Sequence, residues 1–247
     1  MTRTGRLASE IVAEYRSFVR RRTALFFTFI FPLLIVVVYA AAIRAGDGEF
    51  LGAPASYYLP GYLALVIVFA PLSRVAGSVP RDREADRFEK LATTPLQQWE
   101  WLLARVIVAG GLAIIPGIAV LAIAVVLTPV TLYPSPWLIP LGVAIVVTFA
   151  GVGAIIGRLA DSEDGAIAVG NAIGFPIVFF SETLLPPEIV PSAVEPVLVV
   201  SPVTHFARGS RLALEGGHPE VDQLVVLLVV AVACFVIGAR LLPTVAD

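Results

Sequence analysis

The sequence predicts an all-α membrane protein with six transmembrane helices, and three observations carry that expectation. Mean hydropathy is +0.90 and 58% of the 247 residues are hydrophobic, which leaves too little polar surface for a soluble fold. Five or six apolar stretches follow one another with almost no soluble chain between them, and most are long enough to cross a bilayer. With the N-terminus inside and six spans, fourteen of the seventeen Lys and Arg residues fall on cytoplasmic loops or span ends, leaving Arg44, Arg208 and Arg211 outside. Both termini are therefore expected in the cytoplasm.

Composition removes several classes of chemistry. One cysteine (Cys234) and two isolated histidines (His205 and His218) exclude a disulfide framework and a Cys/His-rich zinc cluster, so no metal site is expected. No GxxxxGK[ST] phosphate loop is present, so the chain does not hydrolyse ATP by that route. The net charge of -2 gives no sign of a nucleic-acid partner.

Along the chain, residues 3–22 read as an amphipathic helix lying in the membrane interface. Leu7, Ile11, Tyr15 and Phe18 recur on one side, with Arg6, Glu10, Ser17 and Arg21 on others and the arginines toward lipid headgroups. The triple Arg20-Arg21-Arg22 stops the chain at the cytoplasmic surface. Span one, Thr23 to Ile43, carries no charge; a hydrocarbon core of about 30 Å needs roughly 20 helical residues. Its long polar leader and long apolar run point to a retained span rather than a cleaved signal peptide. The connection from Ala45 to Ser56 holds Asp47 and Glu49 but no basic residue.

Span two is expected from Tyr57 to Arg74, led in by Tyr57, Tyr58 and Tyr62 as an interfacial belt. Span three covers Trp101 to Leu127, where Gly110, Gly111, Pro116 and Gly117 should loosen or kink the helix. Arg105 lies about one turn into it and is expected to snorkel to the surface in a structural role. An uncharged turn, Thr128 to Pro136, leads to span four, Trp137 to Gly157. Asp161, Glu163 and Asp164 then form an acidic turn, read as a solvated loop or a partner contact.

Span five, between Asp164 and Glu182, is short and interrupted by Gly170, Gly174 and Pro176. The stretch 182–212 mixes Pro186, Pro187, Pro191, Pro196 and Pro202 with apolar Ile189-Val190 and Val197 to Val200. It is too broken to span and too apolar to be solvated, so re-entrant or interfacial half-helices on the extracellular side are expected. The last span runs from Val221 to Leu242. The pairs Gly153-xxx-Gly157 and Gly170-xxx-Gly174 permit close helix approach.

The polar segment 81–95 is the most informative. It reads as a short charged helix with Asp86 and Lys90 in the favourable i,i+4 order and an apolar edge of Phe88, Leu91 and Ala92. Pro95 ends that helix, and a new one is expected with Thr94 as N-cap, Pro95 at the first position and Gln97 completing a capping box. A charged helix joined stiffly to a span is a way to carry a push from the cytoplasm into the bilayer. At the outer end of span five, Glu182 is costly unless paired or wet, so it lines an exit, pairs with Arg208 or Arg211, or sits at the interface. Asn171 and Ser181 join it as candidates for a translocation path.

These segments resemble the permeases of type-2 ABC transporters. Phe88-Glu89-Lys90-Leu91-Ala92-Thr93-Thr94-Pro95 is similar to that family's cytoplasmic signature, with Asp86-Arg87 standing where Gly-Thr is frequent. The likeness continues through Phe179-Phe180-Ser181-Glu182, Pro186 and Pro191 to Ser201-Pro202-Val203-Thr204-His205 and Arg211, and covers nearly the whole chain as one domain, 1–247.

The resemblance implies a dimer, homomeric or with a related permease, each chain bound to a separate ATP-binding subunit that holds the ATP and magnesium. It implies export of an amphiphilic or apolar substrate across the plasma membrane of a prokaryote, with membrane lipid around the spans. Arg83, Glu84, Asp86, Arg87, Phe88, Glu89 and Lys90 would couple to the ATPase, Thr94-Pro95 would form the elbow, and spans one and five would meet at the dimer interface.

Two rival readings remain on residues alone. An ATP-independent transporter or channel wants intramembrane carboxylates or a matched repeat of broken helices. An intramembrane enzyme wants paired Asp, Ser/His or HExxH within spans. The spans offer neither set.

Overall fold

The computed structural model describes residues 3–20, 26, 30–45, 49–50, 53–128, 130–184, 186 and 195–243. In chain order these form α1 (Arg3–Val19), α2 (Phe31–Ala45), a minimal antiparallel pair β1 (Glu49–Phe50) and β2 (Ala53–Pro54), and a 3-10 turn (Ala55–Tyr58). Then come α3 (Leu59–Glu84), α4 (Arg87–Ala92), α5 (Gln98–Leu127), α6 (Leu138–Leu159) and α7 (Glu163–Phe179). The last three are α8 (Glu195–Val200), α9 (Pro202–Leu214) and α10 (Val221–Leu241). The fold is all-α apart from the two-residue strands.

Four of these helices are long and apolar enough to cross a membrane: α3 with its 3-10 lead-in, α5, α6 and α10. The expected first and fifth spans meet α2, with 15 residues, and α7, with 17. Part of the expected first span, Arg21-Arg22, Asp47, Pro187, Ile189-Val190 and Pro191 lie outside the described residues. Within 195–214 the chain does form two consecutive short helices, broken at Ser201 ahead of Pro202.

Helix α3 is the axis around which the others pack, and it contributes side chains to all three apolar clusters. Leu72 and Ala76 share one cluster with Phe149 of α6 and Phe206 of α9; Tyr62 and Val66 share a second with Val36 of α2 and Val120 of α5; Val75 and Val79 share a third with Trp101 and Leu102 of α5. Pro71 and Pro80 lie inside α3, tolerable because neighbouring helices bury the backbone around them. The close packing of α6 on α3 uses small residues: a Cβ on Gly153 would come within 2.6 Å of the Leu72 carbonyl oxygen, and one on Gly157 would overlap that of Ala76. The side chains on the outer faces are apolar instead, as with Ile114, Ile115 and Ile118 of α5 and Val229 and Val232 of α10. In a bilayer that outer surface meets lipid tails, so exposure of such residues costs nothing.

Two expectations change. Helix α3 runs ten residues past Arg74 to Glu84, because the charged residues beyond Arg74 find partners on neighbouring helices. Tyr58 and Tyr62 are fully buried between helices rather than forming an interfacial belt; Tyr57 alone of the three is partly exposed. Helix α5 is one continuous helix that contains Gly110, Gly111, Pro116 and Gly117.

Candidate functional site

The connection between α3 and α5 is built around one backbone inversion. The last turn of α3 carries Arg81, Arg83 and Glu84, and the helix is closed by hydrogen bonds from Ala85 N to Arg81 O and from Asp86 N to Arg83 O. Asp86 then adopts the left-handed conformation, φ 53°, the single positive φ at a non-glycine residue among the described ones. Asp tolerates this region better than most residues, and it stands where the resembling family often has Gly-Thr. The expected single charged helix is thus two: the end of α3, and the six-residue α4 beyond the turn. Lys90 donates to the Ala85 carbonyl across the turn at 3.2 Å, which takes the place of the expected Asp86–Lys90 pairing.

The start of α5 also differs from expectation. Gln97, not Thr94, is the N-cap, and the capping box is closed by Glu100, whose carboxylate accepts from Gln97 N at 2.8 Å. The Thr94 hydroxyl donates to the Leu91 carbonyl at 2.6 Å and accepts from Leu96 N at 3.4 Å, so both its bonds stay within the turn that follows α4. Pro95 lies in the turn between the two helices, so the elbow spans residues 93–97.

The nine expected coupling residues divide into two groups. Glu84, Asp86, Glu89, Lys90, Thr94 and Pro95 are exposed and form the outer surface of the connection. Arg83, Arg87 and Phe88 are half-buried and anchor it. Arg83 donates to the Ala160 carbonyl at 2.7 Å, Arg87 to the Asp82 carboxylate at 3.2 Å, and the Phe88 ring lies 5.4 Å from that of Trp101. Arg81 pairs with Glu163 at 3.1 Å, which binds the connection to the start of α7 and accounts for one of the three acidic-turn residues; Asp161 and Asp164 are exposed.

Beneath this surface lies a buried ionic junction. Arg105 of α5, 0% exposed, donates to Asp82 at 2.6 Å, to Glu10 at 3.0 Å, to Ser78 Oγ at 3.2 Å and to the Trp101 carbonyl at 3.1 Å. Its guanidinium carbon stacks 3.3 Å from the centre of the Trp101 ring. Trp101 Nε1 donates to Asp82 at 3.2 Å, and Glu10 also lies 3.6 Å from Arg87. Arg74 forms an ion pair with Glu14 at 3.0 Å and stacks over Phe18. One junction therefore joins α1, the end of α3, α4 and the start of α5.

Two expectations are reversed here. Arg105 does not snorkel; buried carboxylates on three sides hold it inside the protein. Helix α1 is turned about its axis: Glu10, Glu14 and Phe18 face the bundle, whereas Val12, Tyr15 and Val19 are about half exposed. Burial alone would raise the Glu14 pKa, but Arg105, Arg74 and Arg81 outweigh it and hold the carboxyl below its ordinary value. A carboxylate surrounded in this way stays ionised at neutral pH and keeps α1 fastened.

At the opposite end of the bundle, Glu182 pairs with Arg208 of α9 through two bonds, 2.8 Å from Nε and 2.5 Å from Nη2. The hydrogen bond to Glu182 raises the Arg208 pKa above its ordinary value. The Glu182 carbonyl accepts from Tyr57 at 2.9 Å and from Arg211, whose guanidinium stacks over the Tyr57 ring. Burial lowers the Arg211 pKa. The expected pairing of Glu182 with Arg208 is present. Ser181 is fully buried and donates to the Val178 carbonyl at 2.6 Å, so it helps finish α7. Asn171 lies ten residues back along α7, about 15 Å away by helical rise, and accepts from Ser73 of α3 at 2.8 Å. These three residues do not form one site.

Glu10, Glu14, Ser78 and Asp82 were not legible as a site from sequence, although two signals pointed at them. Glu10 and Glu14 stand one turn apart on one face of α1, and an arginine inside a span demands a partner.

A family model described as ABC-2 type transporter matches residues 8–214, which include the junction, the α3–α5 connection and the Glu182 cluster. No curated protein matches the chain. With the greater part of its length covered, and with its membrane-crossing helices arranged around α3, the chain belongs to the ABC-2 type transporter family as a membrane permease subunit.

Proposed function

We propose that this chain is the permease of an ATP-driven exporter, bound to a separate ATP-binding subunit that holds ATP and magnesium. In this reading α2 and α7 are the first and fifth of six spans, both termini lie in the cytoplasm of a prokaryote, and α8 and α9 are extracellular re-entrant helices. Two such chains, identical or related, pair through spans one and five and pass an amphiphilic or apolar substrate, with Asn171, Ser181 and Glu182 beside its route.

One observation carries the reading. Glu84, Asp86, Glu89 and Lys90 present a charged, exposed surface across the end of α3, the turn and α4, whose inner side is clamped by Arg83, Arg87 and Phe88. A surface so mounted moves only with α3 and α5, so a displacement imposed on it is handed to two long apolar helices. ATP hydrolysis elsewhere needs such a handle.

The test is co-purification of the tagged chain with the ATPase encoded nearest to it, beside the variant E84K/E89K/K90E. All three positions are exposed, neither carboxylate makes an anchoring contact, and Lys90 gives up only its bond to the Ala85 carbonyl within the turn, so the reversal should leave the membrane part folded. Capture by wild type and loss in the variant, at unchanged thermal stability, is the expected result. If wild type captures no ATPase, an ATP-independent multi-pass transporter or channel takes over as the reading.

A further inference from the structure

Helix α1 has two stripes that the other described residues leave exposed. Ala8, Val12, Tyr15 and Val19, spaced 4, 3 and 4 residues apart, form an outward apolar stripe; Val12, Tyr15 and Val19 are 47%, 51% and 45% exposed. Arg16 and Arg20, one turn apart and both exposed, flank it on one edge together with Ser9 and Ala13. Both buried acidic residues, Glu10 and Glu14, are on the opposite side, committed to Arg105 and Arg74. The inward turn of the carboxylates thus leaves an outward face that is apolar and cationic, with no acidic side chain.

We propose that this outward face docks the anionic phospholipid headgroups of the leaflet that α1 lies on. The occupant follows from charge and depth. Half-exposed Val12, Tyr15 and Val19 are stable only where an apolar medium covers them, and the arginines beside them sit at the height of the headgroups. No acidic side chain shares that face, so a zwitterionic headgroup gains less there than an anionic one. The same helix reaches Arg87 of α4 through Glu10, 3.6 Å away. Headgroup charge therefore bears on the position of a helix fastened to the coupling connection. The inference rests on α1 lying along the membrane as in the permease reading, but it needs no ATPase subunit, so the two can fail separately.

The test is lipid retention by the purified full chain in mild detergent with equal amounts of phosphatidylglycerol and phosphatidylcholine, counted by native mass spectrometry. Wild type should retain phosphatidylglycerol in excess, and R16Q/R20Q should lose that excess several-fold, bounded by roughly 30-fold for two arginines near a charged surface. R16K/R20K, which keeps the charge, should retain it. Wild type and both variants should melt alike, since neither arginine touches the junction. Equal retention of the two lipids by wild type, or undiminished preference in R16Q/R20Q, overturns the proposal.

Discussion

Arg105 and Asp82 are 2.6 Å apart, and neither side chain is more than 1% exposed. One sits in the first turns of α5 and the other near the end of α3, so this pair closes the base of the hairpin that those helices form with α4 between them. Around it, Glu10 brings in α1 and Trp101 lays its ring against the guanidinium. The junction is planar recognition by an arginine fork, which lysine does not reproduce.

Removing Arg105 should be the most damaging single change at this end of the protein. Arg105→Ala takes from Asp82 and Glu10 their shortest ion pairs, leaving Glu10 with Arg87 at 3.6 Å and Asp82 with Arg87 and Trp101 at 3.2 Å, and breaking such a buried pair costs about 3–5 kcal/mol. Arg105→Lys should fall between wild type and alanine, because one ammonium group does not span Asp82, Glu10 and Ser78 together. Thermal unfolding in detergent, followed by helical signal, ranks the three; an alanine variant as stable as wild type would mean the carboxylates do not depend on Arg105.

Asp86 offers a change in the other direction. Its left-handed backbone costs an ordinary L-residue about 1–2 kcal/mol, a cost that glycine does not bear. Asp86→Gly should leave stability unchanged or raise it by up to about 1 kcal/mol, while Asp86→Val, β-branched at a positive φ, should lower it. Melting temperatures of the two variants decide the matter, and a valine variant that melts no lower than the glycine one would remove the inversion from the account.

The fastening of α1 should depend on pH with a definite sign. Glu14 has a folded pKa below its ordinary 4.5, so its contribution is fully present above that value and is lost as pH falls through the lower, folded one. The stability gap between wild type and Glu14→Gln should therefore stay constant from neutral pH down to about 5 and close in more acid solution. A gap that persists unchanged at about pH 3 would show that ionisation of Glu14 is not what holds the helix.

Much of this architecture was readable in the sequence, and the failures have a common physical cause. The limits of α5, α6 and α10 fall within a few residues of the apolar runs that predicted them, because lipid and protein both reward uninterrupted apolar helix. Facing was the weaker inference. In a soluble protein the stripe of Leu7, Ile11, Tyr15 and Phe18 would settle which side of α1 is inward, but beside a membrane both sides of a helix have apolar neighbours. Glu10 and Glu14 decide it instead, since an ionised carboxylate gains more from Arg105 and Arg74 than Val12 or Tyr15 gains from burial in protein rather than lipid. The N-cap of α5 was misplaced by three residues for a smaller reason: Thr94 Oγ1 bonds Leu91 and Leu96 within the elbow, while Gln97 and Glu100 close the capping box.

The spacing Gly153-xxx-Gly157 was a weak signal that the packing of α6 on α3 turns into a prediction. A methyl group on Gly157 would overlap the Ala76 carbonyl oxygen and press on Val79, both on a helix too central to retreat, so Gly157→Ala should destabilise by about 1–3 kcal/mol. Gly111 has nothing within 4 Å of an added Cβ, and there Gly→Ala should stabilise α5 by up to about 1 kcal/mol through helix propensity alone. Gly170, with its nearest neighbour, Leu72 Cγ, at 3.6 Å, should accept alanine without loss. Opposite signs for Gly157→Ala and Gly111→Ala in one set of melting curves would separate close approach from propensity; equal signs would mean that α6 and α3 do not touch through the glycine face.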